Sequence, residues 1–166
     1  MSLPQVLALL VAVQRLIEMA HATRNARRLL AEGGIEYGAR HFPLFVVLHG
    51  AWLVAVFALV PPEAPVSWPL LALYGLLQVG RAWVLVTLGR YWTTRVITVP
   101  GAPLVCRGPY RLMRHPNYLV LAGEIAVLPL AFGAWEIALV FSLANAALLA
   151  WRIRVEDAAL APRRQV

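Results

Sequence analysis

A chain of 166 residues and 18.3 kDa has room for one domain, yet 61% of it is hydrophobic, only 14% is charged and the mean hydropathy is +0.70. An ordinary soluble domain is about half apolar and a quarter charged, so the excess apolar surface has to face lipid; disorder, a collagen-like repeat and a disulfide scaffold are excluded. The net charge of +7 comes from 15 basic against 8 acidic residues, and every basic residue is an arginine set in short clusters between apolar runs, a pattern of membrane proteins rather than of a nucleic-acid-binding face.

The first apolar run, Leu3 to Met19, opens on Ser2 and Pro4 as cap and first turn, and carries Arg15 and Glu18 near its end. The second runs from Phe42 to Val60 and stops at Pro61-Pro62; the third runs from Trp68 to Leu88 with Gln78 and Arg81 inside. The fourth, Tyr118 to Phe132, carries Glu124 and Pro129; the fifth, Trp135 to Trp151, follows after only Gly133 and Ala134, which predicts a tight helical hairpin. Each run is close to the roughly 20 residues that a bilayer crossing needs. The fold expected over residues 1–166 is therefore a single all-α integral membrane domain of about five transmembrane helices, with a C-terminal hairpin and a cytoplasmic pocket formed around the loop 90–117.

Arginine placement orients these spans, because cytoplasmic loops carry the basic residues. Arg24, Arg27, Arg28 and Arg40 follow the first span, Arg90, Arg95, Arg107, Arg111 and Arg114 the third, and Arg152, Arg154, Arg163 and Arg164 the fifth. The links after the second and fourth spans hold none, which puts the N-terminus outside the cell membrane and the C-terminus in the cytoplasm. No basic residue precedes the first run and no clear small-residue cleavage site follows it, so a cleaved signal is not expected.

The segment Arg90 to Asn117 is long for a connector and rich in turn formers: Pro100-Gly101, Pro103, Gly108-Pro109 and His115-Pro116. It carries Gly108-Pro109-Tyr110-Arg111 and Arg114-His115-Pro116-Asn117-Tyr118, with Glu124 about one and a half turns into the next span. A charge at mid-membrane costs at least ~2.5 kcal/mol unless paired or wet, so Glu124 and Glu18 need partners, and Glu18 has Arg15 three residues earlier. Arg152 and Glu156 fall on one helix face, where the plain alternative is a surface ion pair; the loop residues could likewise form an interfacial belt. His21, His41, His49 and His115 are scattered, so no metal site is expected. Ser67 and Ser142 lack a nucleophile frame, Cys106 is the only cysteine, and no glycine-rich dinucleotide fingerprint is present. What remains is a pocket beside the bilayer offering an anion, arginines, aromatic rings and apolar walls, suited to a zwitterionic or cationic cofactor meeting a lipid-like substrate.

The run Leu104-Val105-Cys106-Arg107-Gly108-Pro109-Tyr110-Arg111-Leu112-Met113-Arg114-His115-Pro116-Asn117-Tyr118, followed by Glu124, Pro129-Leu130 and Arg152-Ile153-Arg154-Val155-Glu156, resembles the isoprenylcysteine carboxyl methyltransferase family of integral-membrane methyltransferases. The N-terminal half, with Arg15…Glu18, Arg24-Asn25, Gly34…Glu36, His41-Phe42-Pro43, His49, Trp52, Gln78…Arg81 and Trp92-Thr93-Thr94-Arg95, is similar to a short bacterial branch. Members of that branch include O-methyltransferases acting on alkylpyrones and alkylresorcinols made by type III polyketide synthases. The resemblance implies S-adenosylmethionine as methyl donor, with S-adenosylhomocysteine as product, and membrane lipids as surroundings. It gives the cofactor Leu104, Val105, Tyr110, His115, Pro116, Asn117, Tyr118 and Glu156, places Arg152 beside the substrate, and makes Glu124 a second catalytic candidate. Where eukaryotic members have a doubled Glu after the last helix, this chain has Glu156-Asp157. Carboxyl methylation of an isoprenylcysteine-type substrate, a membrane reductase and a lipid-binding protein stay open as alternatives, as does a lid role for Ala20 to His41.

Overall fold

The computed structural model describes residues 1–39 and 42–161; Arg40, His41, Arg163 and Arg164 of the sequence reading lie outside the described residues. Five helices make up most of the molecule: α1 (Leu3–Ala31), α2 (Phe42–Leu59), α3 (Trp68–Leu88), α4 (Pro116–Leu130) and α5 (Trp135–Leu160). Four are long and apolar enough to cross a membrane, and α4 is a shorter apolar helix of 15 residues. At 1.5 Å per residue α4 covers about 22 Å, less than a hydrocarbon core. Many large apolar side chains point outward, among them Leu16, Ile17, Val47, Val54, Leu76, Val86 and Leu143, a surface only lipid can cover. The protein is an integral membrane protein.

Two ends differ from the sequence reading. α1 does not stop at Met19 but runs on to Ala31, because residues 20–31 contain good helix formers and no breaker before Gly33-Gly34. Arg15 and Glu18 are therefore at mid-helix. α5 likewise continues past Trp151 to Leu160, so Arg152, Glu156 and Asp157 stand on regular helix rather than a tail. A small sheet was not expected either: β1 (Ile35–Tyr37) pairs antiparallel with β2 (Val96–Thr98), Glu36 opposite Ile97. It pins the chain after α1 onto the loop after α3, and Glu36 pairs with Arg95 at 3.2 Å beside it.

Helix packing runs in the order α1, α2, α5, α4, α3. The core along this series is built from Phe45, Trp52, Val56, Tyr74, Leu121, Ile125, Leu128 and Leu149. At the end away from the loops, Pro61-Pro62 stop α2, and Gln5 Nε2 donates to the freed carbonyls of Val60 (3.0 Å) and Phe57 (3.2 Å). The Ser67 N–H donates to Ala131 O at 2.8 Å and ties the α2–α3 link to the α4–α5 hairpin.

The two terminal members of the series, α1 and α3, are joined through charge. Arg81 of α3 donates from Nε to Glu18 Oε1 (2.7 Å) and pairs with Glu124 of α4 (3.1 Å), while Arg15 of α1 pairs with Glu18 (3.1 Å) and Glu124 (2.6 Å). Gln14 bridges Glu18 (3.0 Å) and Gln78 (2.9 Å), and Gln78 donates to Glu124 at 2.7 Å. Two cations, two anions and two amides thus form a neutral cage across three helices, the arrangement that a buried charge in lipid demands.

Candidate active site

The loop between α3 and α4 is held on three sides. Asn25 of α1, almost wholly buried, donates from Nδ2 to Gly89 O (3.1 Å) and Trp92 O (2.9 Å), and His21 stacks on the Trp92 ring at 6.0 Å. Thr93 Oγ1 donates to Arg95 O at 2.6 Å, shaping the turn into β2. Farther on, Gly108 adopts φ +56° where any Cβ would lie 2.6 Å from Thr87 Oγ1, so glycine is needed both for conformation and for close approach to α3. Pro109 is buried in the short turn Gly108–Arg111, and Pro116 opens α4, where a missing N–H costs nothing.

These constraints enclose a first cavity of about 360 Å³. Of the sequence-predicted cofactor residues, Leu104, Val105, Tyr110, His115, Asn117, Tyr118 and Glu156 line it, and so does Arg152. Pro116 does not; it is buried as the first residue of α4. The Tyr118 hydroxyl donates to Glu156 Oε2 and accepts from Arg152 Nε at 2.7 Å, so Arg152 and Glu156 communicate through a phenol rather than forming the direct i,i+4 pair. Arg152 Nη1 also donates to Thr94 O at 2.6 Å, and the guanidinium lies 5.5 Å from the Phe45 ring and 5.6 Å from the Tyr118 ring. Among the described residues no carboxylate comes within 4.0 Å of it. Arg152 is thus a buried cation, 8% exposed, held by a hydroxyl, a carbonyl and two ring faces.

His115 stacks on Tyr118 with centroids 5.3 Å apart, and its Nδ1 and Nε2 lie 3.8 Å from Glu156 and 3.3 Å from Asp157. The doubled acid thus flanks one imidazole. Burial pushes the Tyr110 phenol up from its ordinary pKa, and Glu156 adds in the same direction, so Tyr110 stays a neutral hydroxyl. Asn117 Oδ1 is enclosed without a hydrogen-bond partner.

A second cavity of about 380 Å³ adjoins the first. Its walls are mainly apolar: Ala12, Leu16 and Met19 from α1, Phe42, Phe45, Val46, Leu53 and Val54 from α2, and Leu121 from α4. Leu16 of α1 and Val54 of α2, both in its lining, are 60% and 65% exposed, so part of its wall belongs to the outer apolar surface. Arg15, Glu18 and Arg81 of the cage border it. Trp92, Thr93, Asn117, Tyr118 and Arg152 belong to both cavities and form the partition between them. Trp92 is at the same time a buried core residue, packed with Ala22 and Val84; the sequence signal for its place at the partition is the Trp92-Thr93-Thr94-Arg95 block just after the Gly89 turn.

Glu124 lines neither cavity: it is completely buried in the cage, and the structure separates it from the residues with which it was grouped. Glu18 pairs with Arg15 as expected, but within this larger network. Among the described residues no group of three or more His, Cys, Asp or Glu could hold a metal ion.

Residues 70–162 match the isoprenylcysteine carboxyl methyltransferase (ICMT) family, a span that contains every residue lining the first cavity. Over 155 residues the chain is 41% identical to the uncharacterized protein YpbQ of Bacillus subtilis, covering 91% of this chain and 92% of that one. It is 26% identical over 157 residues to an uncharacterized protein of Haemophilus influenzae, covering 88% of each. No solved structure matches the chain at a significant level. The family match takes in more than half of the chain, and the bundle carries helices long enough to cross a membrane: the protein belongs to the isoprenylcysteine carboxyl methyltransferase family, as a membrane methyltransferase.

Proposed function

We propose that the protein transfers a methyl group from S-adenosylmethionine to an oxygen of a membrane-borne amphiphile, an alkylpyrone or alkylresorcinol of the kind a type III polyketide synthase produces. The observation that carries this reading is the pair of cavities with one shared partition: a polar-rimmed one in the motif loop and an apolar one whose wall reaches the outer apolar surface. The first fits the cofactor by its donor set. It offers the Glu156 carboxylate for an ammonium, Tyr110 and Tyr118 as walls for a cationic sulfur or a flat ring, and in Asn117 Oδ1 a buried acceptor with no hydrogen-bond partner among the described residues.

Bound there, S-adenosylmethionine supplies an electrophilic methyl whose C–S bond breaks as a C–O bond to the acceptor forms. The residues of the chain do the rest. Trp92, Thr93 and Tyr118 separate the two cavities and set the line along which the groups meet, and the apolar walls keep water out. Arg152, a buried cation with no carboxylate within 4.0 Å among the described residues, favours the ionised acceptor oxygen: an enolic pyrone arrives ionised near pH 7, whereas a resorcinol, with a pKa near ~10, depends on that cation. The Tyr118 hydroxyl, bonded to both Arg152 and Glu156, keeps the acceptor side and the cofactor side in register.

The arginine distribution supports placing the loop end of the bundle, and with it the first cavity, in the cytoplasm at the cell membrane, where a soluble cofactor is available. Calorimetry of the purified protein with S-adenosylhomocysteine tests the reading. Saturable binding is expected, weakened about tenfold or more in Glu156→Ala and His115→Ala. Absence of binding in both detergent and nanodiscs would overturn it. With binding established, Arg152→Met is expected to retain the cofactor and lose methyl transfer to the acceptor.

A further inference from the structure

We propose that residues 111–114 form an interfacial anchor that binds an anionic phospholipid, with Leu112 and Met113 in the acyl boundary and the guanidinium groups of Arg111 and Arg114 on the headgroup phosphate. The proposal rests on the embedding of the bundle in a membrane and not on the methyl-transfer reading. Within the loop motif, Arg111, Leu112 and Met113 line neither cavity, and all four residues of the segment are exposed, Leu112 at 76%. Two large apolar side chains facing outward between two cations suit a boundary between lipid and water better than water itself. Among the described residues no carboxylate lies within 4.0 Å of either arginine, so both charges are open to an outside anion.

The depth of the segment follows from the helices around it. Trp68 and Trp83 on α3, and Trp135 and Trp151 on α5, are exposed; at 1.5 Å per residue each pair is about 23 Å apart along its helix, which sets two aromatic levels near the edges of the hydrocarbon core. The turn Gly108–Arg111 packs against Trp83, for a Cβ on Gly108 would lie 3.2 Å from the Trp83 Nε1. α4 is tied at its far end to the α2–α3 link through Ala131 O, and it starts at Pro116, about 22 Å away and so at the same level as Trp83 and Trp151. Leu112 and Met113 therefore stand where the chain passes the hydrocarbon edge to enter α4, and the two arginines stand where lipid phosphates lie. A guanidinium there meets phosphate oxygens with two parallel N–H donors, and a zwitterionic headgroup would bring a cation of its own against it. Arg27 of α1 is the comparison. It too is exposed, with no carboxylate within 4.0 Å among the described residues, but it lies five residues past Ala22, which packs with Val84, and so about 8 Å farther into water.

The test places bimane, itself apolar, on Leu112→Cys in a Cys106→Ser background, reconstitutes the protein in phosphatidylcholine nanodiscs, and measures quenching by lipids brominated on the acyl chain. Brominated lipid is expected to quench the label more strongly than aqueous iodide does, and brominated phosphatidylglycerol to be about tenfold more effective per mole than brominated phosphatidylcholine. Arg111→Gln and Arg114→Gln are each expected to reduce that preference about fivefold, the weight of one arginine near an anionic surface. Arg111→Lys, which keeps the charge, is expected to retain most of it, and Arg27→Gln to change it by less than about twofold. The melting temperature in detergent reports that each variant is folded; the two arginines are replaced one at a time, so that either decides should the other variant fail that control. Stronger quenching by iodide would put the segment in water and overturn the proposal. Equal quenching by the two lipids would overturn it as well, and so would an equal loss in Arg27→Gln, which reduces the site to diffuse surface charge.

Discussion

At the scale of single residues, two carboxylates that look alike in the sequence have opposite surroundings. Glu156 faces a cavity and shares its oxygens with a phenol and an imidazole, whereas Glu124 is sealed among Arg15, Gln78 and Arg81. Removing one partner of a buried charge network strands the others, at a cost of about 3–5 kcal/mol. Glu124→Ala is therefore expected to lower the melting temperature in detergent sharply, with the folded fraction still binding S-adenosylhomocysteine as wild type does. A variant of normal stability that had lost only turnover would return Glu124 to the chemistry. The exposed pair of Arg90 and Glu32 is the contrast: Arg90→Ala is expected to change stability by less than about 1 kcal/mol.

At the scale of elements, the glycines of the motif loop separate backbone strain from fit. Gly108 and Gly101 both have positive φ, but a Cβ on Gly108 meets Thr87 whereas one on Gly101 meets nothing within 4 Å. Both alanine substitutions carry a conformational cost of about 1 kcal/mol; only Gly108→Ala is expected also to push the loop off α3 and weaken S-adenosylhomocysteine binding in the calorimeter. The helices themselves were legible because hydrophobic runs and prolines mark them: α2 begins at Phe42 and α3 spans Trp68–Leu88, as the runs suggested. The end of α1 was not, since the onset of polar residues at His21 marks where the surroundings change and not where the helix stops. β1 and β2 were invisible for a different reason: three residues show no period, and the partner strand lies far along the chain. That the motif residues of the loop come together around one cavity was legible because polar groups with fixed spacing stand out in a hydrophobic chain. The second cavity was not, because Leu16, Val46 and Val54 read the same whether they face a lipid tail or a cavity.

At the scale of the whole molecule, the two cavities draw on different parts of the chain. Every wall of the first cavity falls within residues 70–162, while α1 and α2 supply most of the second. Cys106, the sole cysteine, is exposed at the first cavity and reports which way the bundle sits. A membrane-impermeant maleimide is expected to label it in inverted vesicles and not in intact cells stripped of their outer layers, and S-adenosylhomocysteine is expected to slow the labelling. Labelling from the outside would reverse the orientation. The charge cage, finally, dictates an order of biogenesis. When α1 leaves the ribosome neither Arg81 nor Glu124 has been made, so Arg15 and Glu18, three residues apart on one turn, have only each other to neutralise them as they pass into the bilayer. Arg81 arrives next without an acid of its own in α3, and its insertion depends on Glu18 already waiting there.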